Sequence, residues 1–360
     1  MGQPISPGKF RRLQKLSDGK GQFRMLAIDQ RGSMIKALSR AADRDPDDIT
    51  YQDTAQVKRL ITQILSPLST ATLIDPQYGY PYSIDVMARD TALLLSREET
   101  GYEKAGPGNR ERRTILTKDW NIEKAARAGA DAIKLLIYYR ADTSAETSRY
   151  QQQICQDVGE QCLRHDLLFL LELVTYPFEA ASDSAQFARE KPGLVVEMTV
   201  EFSKPHYHVD ILKLQFPAEL KYADRFADGA FDNRKREAVY GIAEVEQFCR
   251  EVHQAAAVPW VILSAGVDIQ EFLENIRLAC GAGASGFLCG RAIWSTAIDH
   301  FPDLTKVERS LADESARNFR VCNDAAGTSL PWYSHPRFGS RDEIVLAQQS
   351  ESWYRDFSAS

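Results

Sequence analysis

The sequence predicts an α/β fold: a (β/α)8 barrel with a short N-terminal leader and a C-terminal tail. Two observations predict it. Eight short strand-like runs recur along the chain, and helix-like stretches with charged and small residues on one face follow most of them. Strands alternating with helices over about 250 residues favour parallel pairing, and a count of eight favours closure into a barrel. The 360 residues, 44% hydrophobic and 26% charged, suffice for one large barrel or two medium domains, so the periodic pattern and not the length decides.

The elements follow in order. Residues 1–20 read as a leader in which Lys9, Arg11, Arg12 and Lys15 mark a basic helix, although Met1-Gly2-Gln3-Pro4-Ile5-Ser6 also matches the loose, frequently accidental pattern of N-myristoylation. The barrel is expected over residues 21–334, with strands at Met25 to Asp29, Ala71 to Asp75, Ala92 to Arg97, Ala132 to Tyr138, Leu167 to Val174, Asp210 to Gln215, Trp260 to Ala265 and Gly286 to Cys289, the third being the weakest. Between them, Gln52 to Leu65 carries apolar residues at helical spacing, and Asn121 to Ala128 stops at Gly129, a C-capping glycine. Longer loops are expected at Pro76 to Ile84, Gly101 to Arg113 and Ser182 to Phe202, the first and third placed to shape access to the barrel mouth. From His335 the chain turns polar and reads as a tail, residues 335–360.

Composition narrows the function. A net charge of −6 leaves no basic footprint for nucleic acid, while a local cationic pocket for an anionic metabolite remains compatible with it. No apolar stretch approaches the ~20 residues of a membrane span, and the start lacks a secretory pattern. The six cysteines, Cys155, Cys162, Cys249, Cys280, Cys289 and Cys322, show no CxxC spacing and read as reduced, buried thiols of a cytoplasmic protein.

Lys213 is the most informative residue. In Ile211-Leu212-Lys213-Leu214-Gln215 it shares one strand face with Ile211 and Gln215, while Leu212 and Leu214 pack on the other. A desolvated lysine that loses its proton is a nucleophile for ketones and aldehydes, which points to Schiff-base chemistry; the alternative is a side chain snorkelling from a strand end. Its company favours chemistry. Lys134 alternates against Ile133, Leu135 and Ile137, Glu172 against Leu171 and Leu173, Asp29 closes the first strand, and Arg291 follows the eighth. In a barrel these five residues converge at the C-terminal strand ends. Pairs such as Lys134 with Glu172 could be structural, but a buried ion pair is a poor stabiliser compared with apolar packing, and perturbed charges gather at functional sites.

Ser264-Ala265-Gly266 and Gly290-Arg291 follow the seventh and eighth strands, where barrels commonly hold phosphate; small residues let backbone N–H groups approach an anion and an arginine clamps it. Two patterns are set aside. Gly281-Ala282-Gly283-Ala284-Ser285-Gly286 spells GxGxxG but precedes a strand, and His206-Tyr207-His208 lacks a third metal ligand.

Taken in order, Ala27-Ile28-Asp29-Gln30-Arg31-Gly32, Leu73-Ile74-Asp75-Pro76-Gln77-Tyr78-Gly79, Asp131-Ala132-Ile133-Lys134, Leu171-Glu172, Val209-Asp210-Ile211-Leu212-Lys213, Leu263-Ser264-Ala265-Gly266-Val267 and Gly290-Arg291-Ala292 resemble the metal-independent, Schiff-base tagatose 1,6-bisphosphate aldolases, over about residues 20 to 333. The resemblance implies a homo-oligomeric (β/α)8 lyase, without metal or other cofactor, that splits a ketose 1,6-bisphosphate, tagatose 1,6-bisphosphate first, into dihydroxyacetone phosphate and glyceraldehyde 3-phosphate. It implies that Lys213 is the Schiff-base lysine, Glu172 the acid/base, and Asp29 and Lys134 the polar groups around the reacting carbons. Ser264, Gly266, Gly290 and Arg291 fall where the family binds the ketone-side phosphate, and Gln30 joins the substrate-binding set. Lys134 is expected to help keep Lys213 in its neutral form. Arg31 is a candidate for the second phosphate or for anchoring its loop. Three other readings stay open: an aldolase of a sulfofructose 1-phosphate type, which shares Pro259 to Ser264 but fits Asp75 to Gly79 and Thr100-Gly101-Tyr102 less well; a metabolite-binding regulator on the same barrel; and a phosphosugar epimerase, which would form no lysine adduct.

Overall fold

The computed structural model describes residues 4–347 and 351–356; Gly2 of the acylation-like start and the last residues of the tail lie outside them. Eight parallel strands close into a barrel: β1 (Phe23–Ile28), β2 (Ala71–Ile74), β3 (Ala92–Ser96), β6 (Ala132–Tyr138), β7 (Leu168–Val174), β8 (Ile211–Leu214), β9 (Trp260–Leu263) and β10 (Gly286–Cys289). The order around the barrel is β1-β10-β9-β8-β7-β6-β3-β2. The remaining pair, β4 (Glu103–Ala105) and β5 (Glu111–Arg113), forms an antiparallel hairpin beside the barrel.

Alternation along each strand sorts residues into two cores. Met25, Ala27, Leu73, Leu94, Ala132, Leu170, Ile211, Val261 and Leu288 fill the lumen, while Leu26, Ile133, Leu135, Leu171, Leu212 and Leu214 face the surrounding helices. The lumen is sealed at the N-terminal strand ends by the helix Pro7–Leu16, started by the Ser6 cap on the Lys9 amide. Its Leu13 and Leu16 join the lumen core, and its two lysines bond carboxylates that precede strands: Lys9 to Asp210 at 2.7 Å and Lys15 to Asp131 at 2.6 Å. Asp210 and Asp131 also accept from the Phe169 and Leu93 amides, so each ion pair ties the seal to the barrel backbone. Trp332 and Phe338 complete this end, and the Ile5 amide donates to the Val345 carbonyl.

Two stretches expected as loops are ordered elements. Gly101 to Arg113 contains the β4–β5 hairpin, whose turn uses Gly106 and Gly108 at φ 65° and 66°, a region that glycine enters without a Cβ clash. Ser182 to Phe202 contains the helix Ala185–Phe202, which buries Phe187, Ala188, Val195, Met198 and Phe202. Pro192 within it forgoes one backbone bond, and burial of this apolar face outweighs that loss. Pro76 to Ile84 holds a single helical turn, Tyr80–Ser83. Among the described residues no helix is long and apolar enough to cross a membrane.

One ion pair is wholly enclosed. Lys58, from the helix Tyr51–Leu65, bonds Asp75 just past β2; both side chains are 0% exposed, and Lys58 Nζ also donates to the Ile28 carbonyl at 2.8 Å. Asp75 Oδ1 accepts from the Gln77 and Tyr78 amides and so shapes the turn after β2. Lys58→Met should therefore strand a buried carboxylate and destabilise the protein by about 3–5 kcal/mol in urea unfolding, whereas adding Asp75→Leu should recover part of that loss.

Candidate active site

The same alternation that fills the lumen brings charge into its C-terminal end. After Ala27 the lumen parity of β1 reaches Asp29; after Ala92, Leu94 and Ser96 that of β3 reaches Glu98; after Ala132 that of β6 reaches Lys134. On β7 it reaches Glu172 and on β8 Lys213, which stand opposite each other in the strand register. No layer of aliphatic side chains covers them, and they line a cavity of about 310 Å³ together with Gln30, Tyr138 and Arg291.

Lys134 is the hub of this cluster. Its Nζ lies 2.6 Å from Glu98, 2.7 Å from Glu172 and 2.9 Å from Asp29. Glu172 Oε2 is shared with Lys213 Nζ at 2.9 Å. The other Glu98 oxygen accepts from the Leu136 amide at 3.1 Å, so the hub is fastened to the β6 backbone. Burial opposes the charge on Asp29, Glu172 and Lys134. For Asp29 and Glu172 the attraction of Lys134 and Lys213 outweighs it, holding both carboxyls below the ordinary range, Asp29 far below. For Lys134 burial is outweighed by Asp29, Glu172 and Glu98, which raise its pKa well above that of a free lysine.

Gln30 and Arg291 line the same cavity, and Gln30 Oε1 is buried without a hydrogen-bond partner. Gly266, at φ 80°, lets the Arg291 guanidinium come so close that a Cβ there would stand 2.8 Å from Arg291 Cζ. Gly290 begins the helix Arg291–Ile298, and a Cβ on it would stand 2.4 Å from the Ala27 carbonyl oxygen. Ser264 is buried at the end of β9, two residues before Gly266. The two glycines thus set the Arg291 side chain and the start of its helix beside the cavity.

Arg31 also lines the cavity, but both terminal nitrogens of its guanidinium are engaged there. It is buried, donates to the Glu98 carbonyl at 2.5 Å and to Thr117, and pairs with Glu99 at 3.4 Å, which fits the loop-anchoring alternative. Glu98 is the residue that the sequence reading missed: the third strand was ended at Arg97, yet extending its alternation from Leu94 through Ser96 reaches Glu98. The two set-aside patterns lie apart from the cavity. Gly281 to Gly286 joins a helix to β10, and His208 lines a separate cavity of about 560 Å³ with Lys9 and Asp210 at the sealed end.

A family model described as DeoC/LacD family aldolase matches residues 23–296. The tagatose 1,6-diphosphate aldolase 2 of Enterococcus faecalis is 36% identical over 338 residues, 92% of this chain and 97% of the relative. The tagatose 1,6-diphosphate aldolase of Lactococcus lactis subsp. lactis is 33% identical over 82% of this chain and 88% of its own. Among solved structures, a fructose-bisphosphate aldolase from Plasmodium falciparum superimposes with a TM-score of 0.62 at 12% identity, covering 91% of this chain and 98% of that one. A Schiff base-forming fructose-1,6-bisphosphate aldolase does so with a TM-score of 0.50 at 14% identity, covering 85% and 98%. At those identities the structures speak for the shared fold, which is the predicted one.

The charge cluster has a signature in pH. The lowered carboxyls of Asp29 and Glu172 contribute stability that is complete above the ordinary carboxyl range and lost as pH falls through their folded values. The raised Lys134 contributes stability present below the ordinary lysine value and lost as pH rises through its folded one. Stability of the unsubstituted protein should therefore hold between about pH 5 and 10 and decline below about pH 4. Lys134→Met leaves the carboxylates facing one another, costing about 3–5 kcal/mol at pH 8. Because the carboxyls of that variant bind protons more readily when folded, its stability should rise as pH drops from 8 to 5, the opposite slope, in urea unfolding at a series of pH values.

Proposed function

Because the chain belongs to the DeoC/LacD family of aldolases, we propose that it is a class I aldolase that cleaves a ketose 1,6-bisphosphate, tagatose 1,6-bisphosphate first among them, into dihydroxyacetone phosphate and glyceraldehyde 3-phosphate. The observation that carries this reading is the contact of Lys213 Nζ with Glu172 Oε2 at 2.9 Å, at the open end of a barrel whose other lysine is held by three carboxylates.

The reaction follows from those contacts. Lys213 passes a proton to Glu172, and its neutral amine attacks C2 of the ketose, forming a carbinolamine. Glu172 returns the proton to the C2 hydroxyl, which leaves as water, and an iminium remains. An ionised carboxylate, Asp29 or Glu172, then takes the C4 hydroxyl proton. The C3–C4 bond breaks, its electrons pass through C2 to the nitrogen as an enamine, and glyceraldehyde 3-phosphate departs. Protonation at C3 restores the iminium, and addition of water at C2 releases dihydroxyacetone phosphate and the lysine. The iminium supplies the polarisation that a metal ion provides in other aldolases, so no cofactor is part of the reading. Ser264, Gly266, Gly290 and Arg291 hold the ketone-side phosphate beside the start of the helix after β10, and Gln30 lends its side-chain amide to the substrate. A cytoplasmic location agrees with six unpaired, buried cysteines, and assembly with copies of itself rests on the family resemblance alone.

Borohydride treatment of the protein with dihydroxyacetone phosphate should give a reduced adduct on the Lys213 peptide by mass spectrometry, equally with and without EDTA, and none in Lys213→Met. Glu172→Gln should retain ligand binding while kcat for bisphosphate cleavage falls by about 10²–10⁴. Absence of an adduct on any lysine would overturn the covalent reading.

A further inference from the structure

A ketose bisphosphate carries two phosphates, and the strand order fixes where each end of it can go. In the sequence β10-β9-β8-β7-β6 around the wall, β8, which carries Lys213, stands midway between β10 and β6, and β10 and β6 face each other across the barrel. With C2 bonded to Lys213 and the ketone-side phosphate at Gly290-Arg291 beyond β10, the rest of the chain extends toward the end of β6. Tyr138 ends β6 and lines the cavity beside Lys134.

Past Tyr138 lies a cation that has no counter-ion among the described residues. Arg112, on β5 of the hairpin, sets its guanidinium over the rings of Tyr102 at 4.4 Å and Tyr176 at 4.5 Å, and 5.8 Å from the Tyr138 ring. Tyr102 and Tyr138 stack edge-on at 5.2 Å, so one aromatic wall runs from the cavity to the arginine. The Arg112 amide donates to the Tyr176 hydroxyl at 2.9 Å, which fixes the strand that presents the side chain. Arginines around it are committed: Arg110 to Glu179, Arg113 to Glu146 and Arg140 to Asp142. Among the described residues the Arg112 guanidinium has neither a hydrogen bond nor an ion pair, and of the cavity-lining arginines Arg291 has the same standing.

Stacking on aromatic rings orients a guanidinium while leaving its in-plane N–H groups available, the geometry suited to bidentate capture of a phosphate. We propose that Arg112, held by Tyr102 and Tyr176, binds the phosphate on the aldehyde half of the substrate and so makes the enzyme selective for ketose bisphosphates over ketose 1-phosphates. The proposal rests on the aldolase reading above and assigns to Arg112 the second-phosphate role for which Arg31, locked in its loop, is unsuited.

The test compares Arg112→Met and Arg112→Lys with the unsubstituted protein on tagatose 1,6-bisphosphate and tagatose 1-phosphate, alongside borohydride trapping of dihydroxyacetone phosphate. In Arg112→Met, kcat/KM for the bisphosphate should fall by about 10- to 100-fold, mostly through KM. Cleavage of the 1-phosphate and adduct formation on Lys213, neither of which involves the second phosphate, should stay within about threefold. Arg112→Lys, which keeps the charge and loses the fork, should fall between. Equal losses on both substrates would make Arg112 a brace for the hairpin, and no loss on either would make it a bystander; each result overturns the proposal. An adduct on Lys213 in the unsubstituted protein separates those outcomes from failure of the aldolase reading itself, which would show as no adduct at all and would remove this proposal with it.

Discussion

Everything at the open end of this barrel depends on neutralising Lys134 away from water. A lysine of a closed barrel's inner layer cannot snorkel to solvent along the surface, so its charge must be matched where it stands. Three carboxylates do this, each from a different strand or strand end: Asp29 after β1, Glu98 after β3 and Glu172 on β7. Removing any one leaves Lys134 with less negative charge to balance it away from water, so the cluster is mutually dependent. That dependence fixes Glu172 against Lys213 and positions Asp29 over the same cavity.

The two ends of the barrel handle charge differently. At the sealed end, Lys9 and Lys15 pair one to one with Asp210 and Asp131, and each carboxylate is also bonded to a backbone amide, so these pairs act as fasteners for the helix Pro7–Leu16. At the open end carboxylates share lysines, and the polar atoms meet a cavity. One arrangement resists rearrangement and the other permits protons to move within it. This is the usual division of a (β/α)8 barrel, with stability at the N-terminal face and chemistry at the C-terminal one. The enclosed Lys58–Asp75 pair belongs with the fasteners, because it holds the turn after β2 and leaves Asp75 no free proton-transfer role.

How much of this was legible in the sequence depended on the range of the interaction. Strand alternation is local, so the eight barrel strands and the inward parity of Lys134, Glu172 and Lys213 could be read directly. Glu98 was missed because it lies two residues past the end of β3, where the inward alternation of Leu94 and Ser96 carries on beyond the strand itself. The helix Ala185–Phe202 was missed for a different reason: Pro192-Gly193 looks like a break, and only the depth at which Phe187, Val195 and Phe202 are buried reveals why the helix persists. Arg112 could not be read at all. Its significance lies in Tyr102 and Tyr176 closing on it from other segments, and in the carboxylates that pair with Arg110 and Arg113 but not with it.

The division of labour between the two lysines follows from the same contacts. Lys134 has three carboxylate partners within 2.9 Å, and withdrawing its proton would leave all three facing one another. Lys213 has one, Glu172, which Lys134 also holds. When Lys213 gives its proton to Glu172 in the proposed reaction, one positive and one negative charge vanish together. Lys134 then keeps Asp29 and Glu98 as partners, so the net charge of the cluster is unchanged and no buried carboxylate is left unpaired. Iminium formation returns a positive charge to Lys213 as Glu172 gives up its proton, restoring the starting pattern. The cluster thus supports a cycle in which protons and electron pairs move between neighbours while its total charge stays constant, which is what chemistry in a poorly solvated site requires.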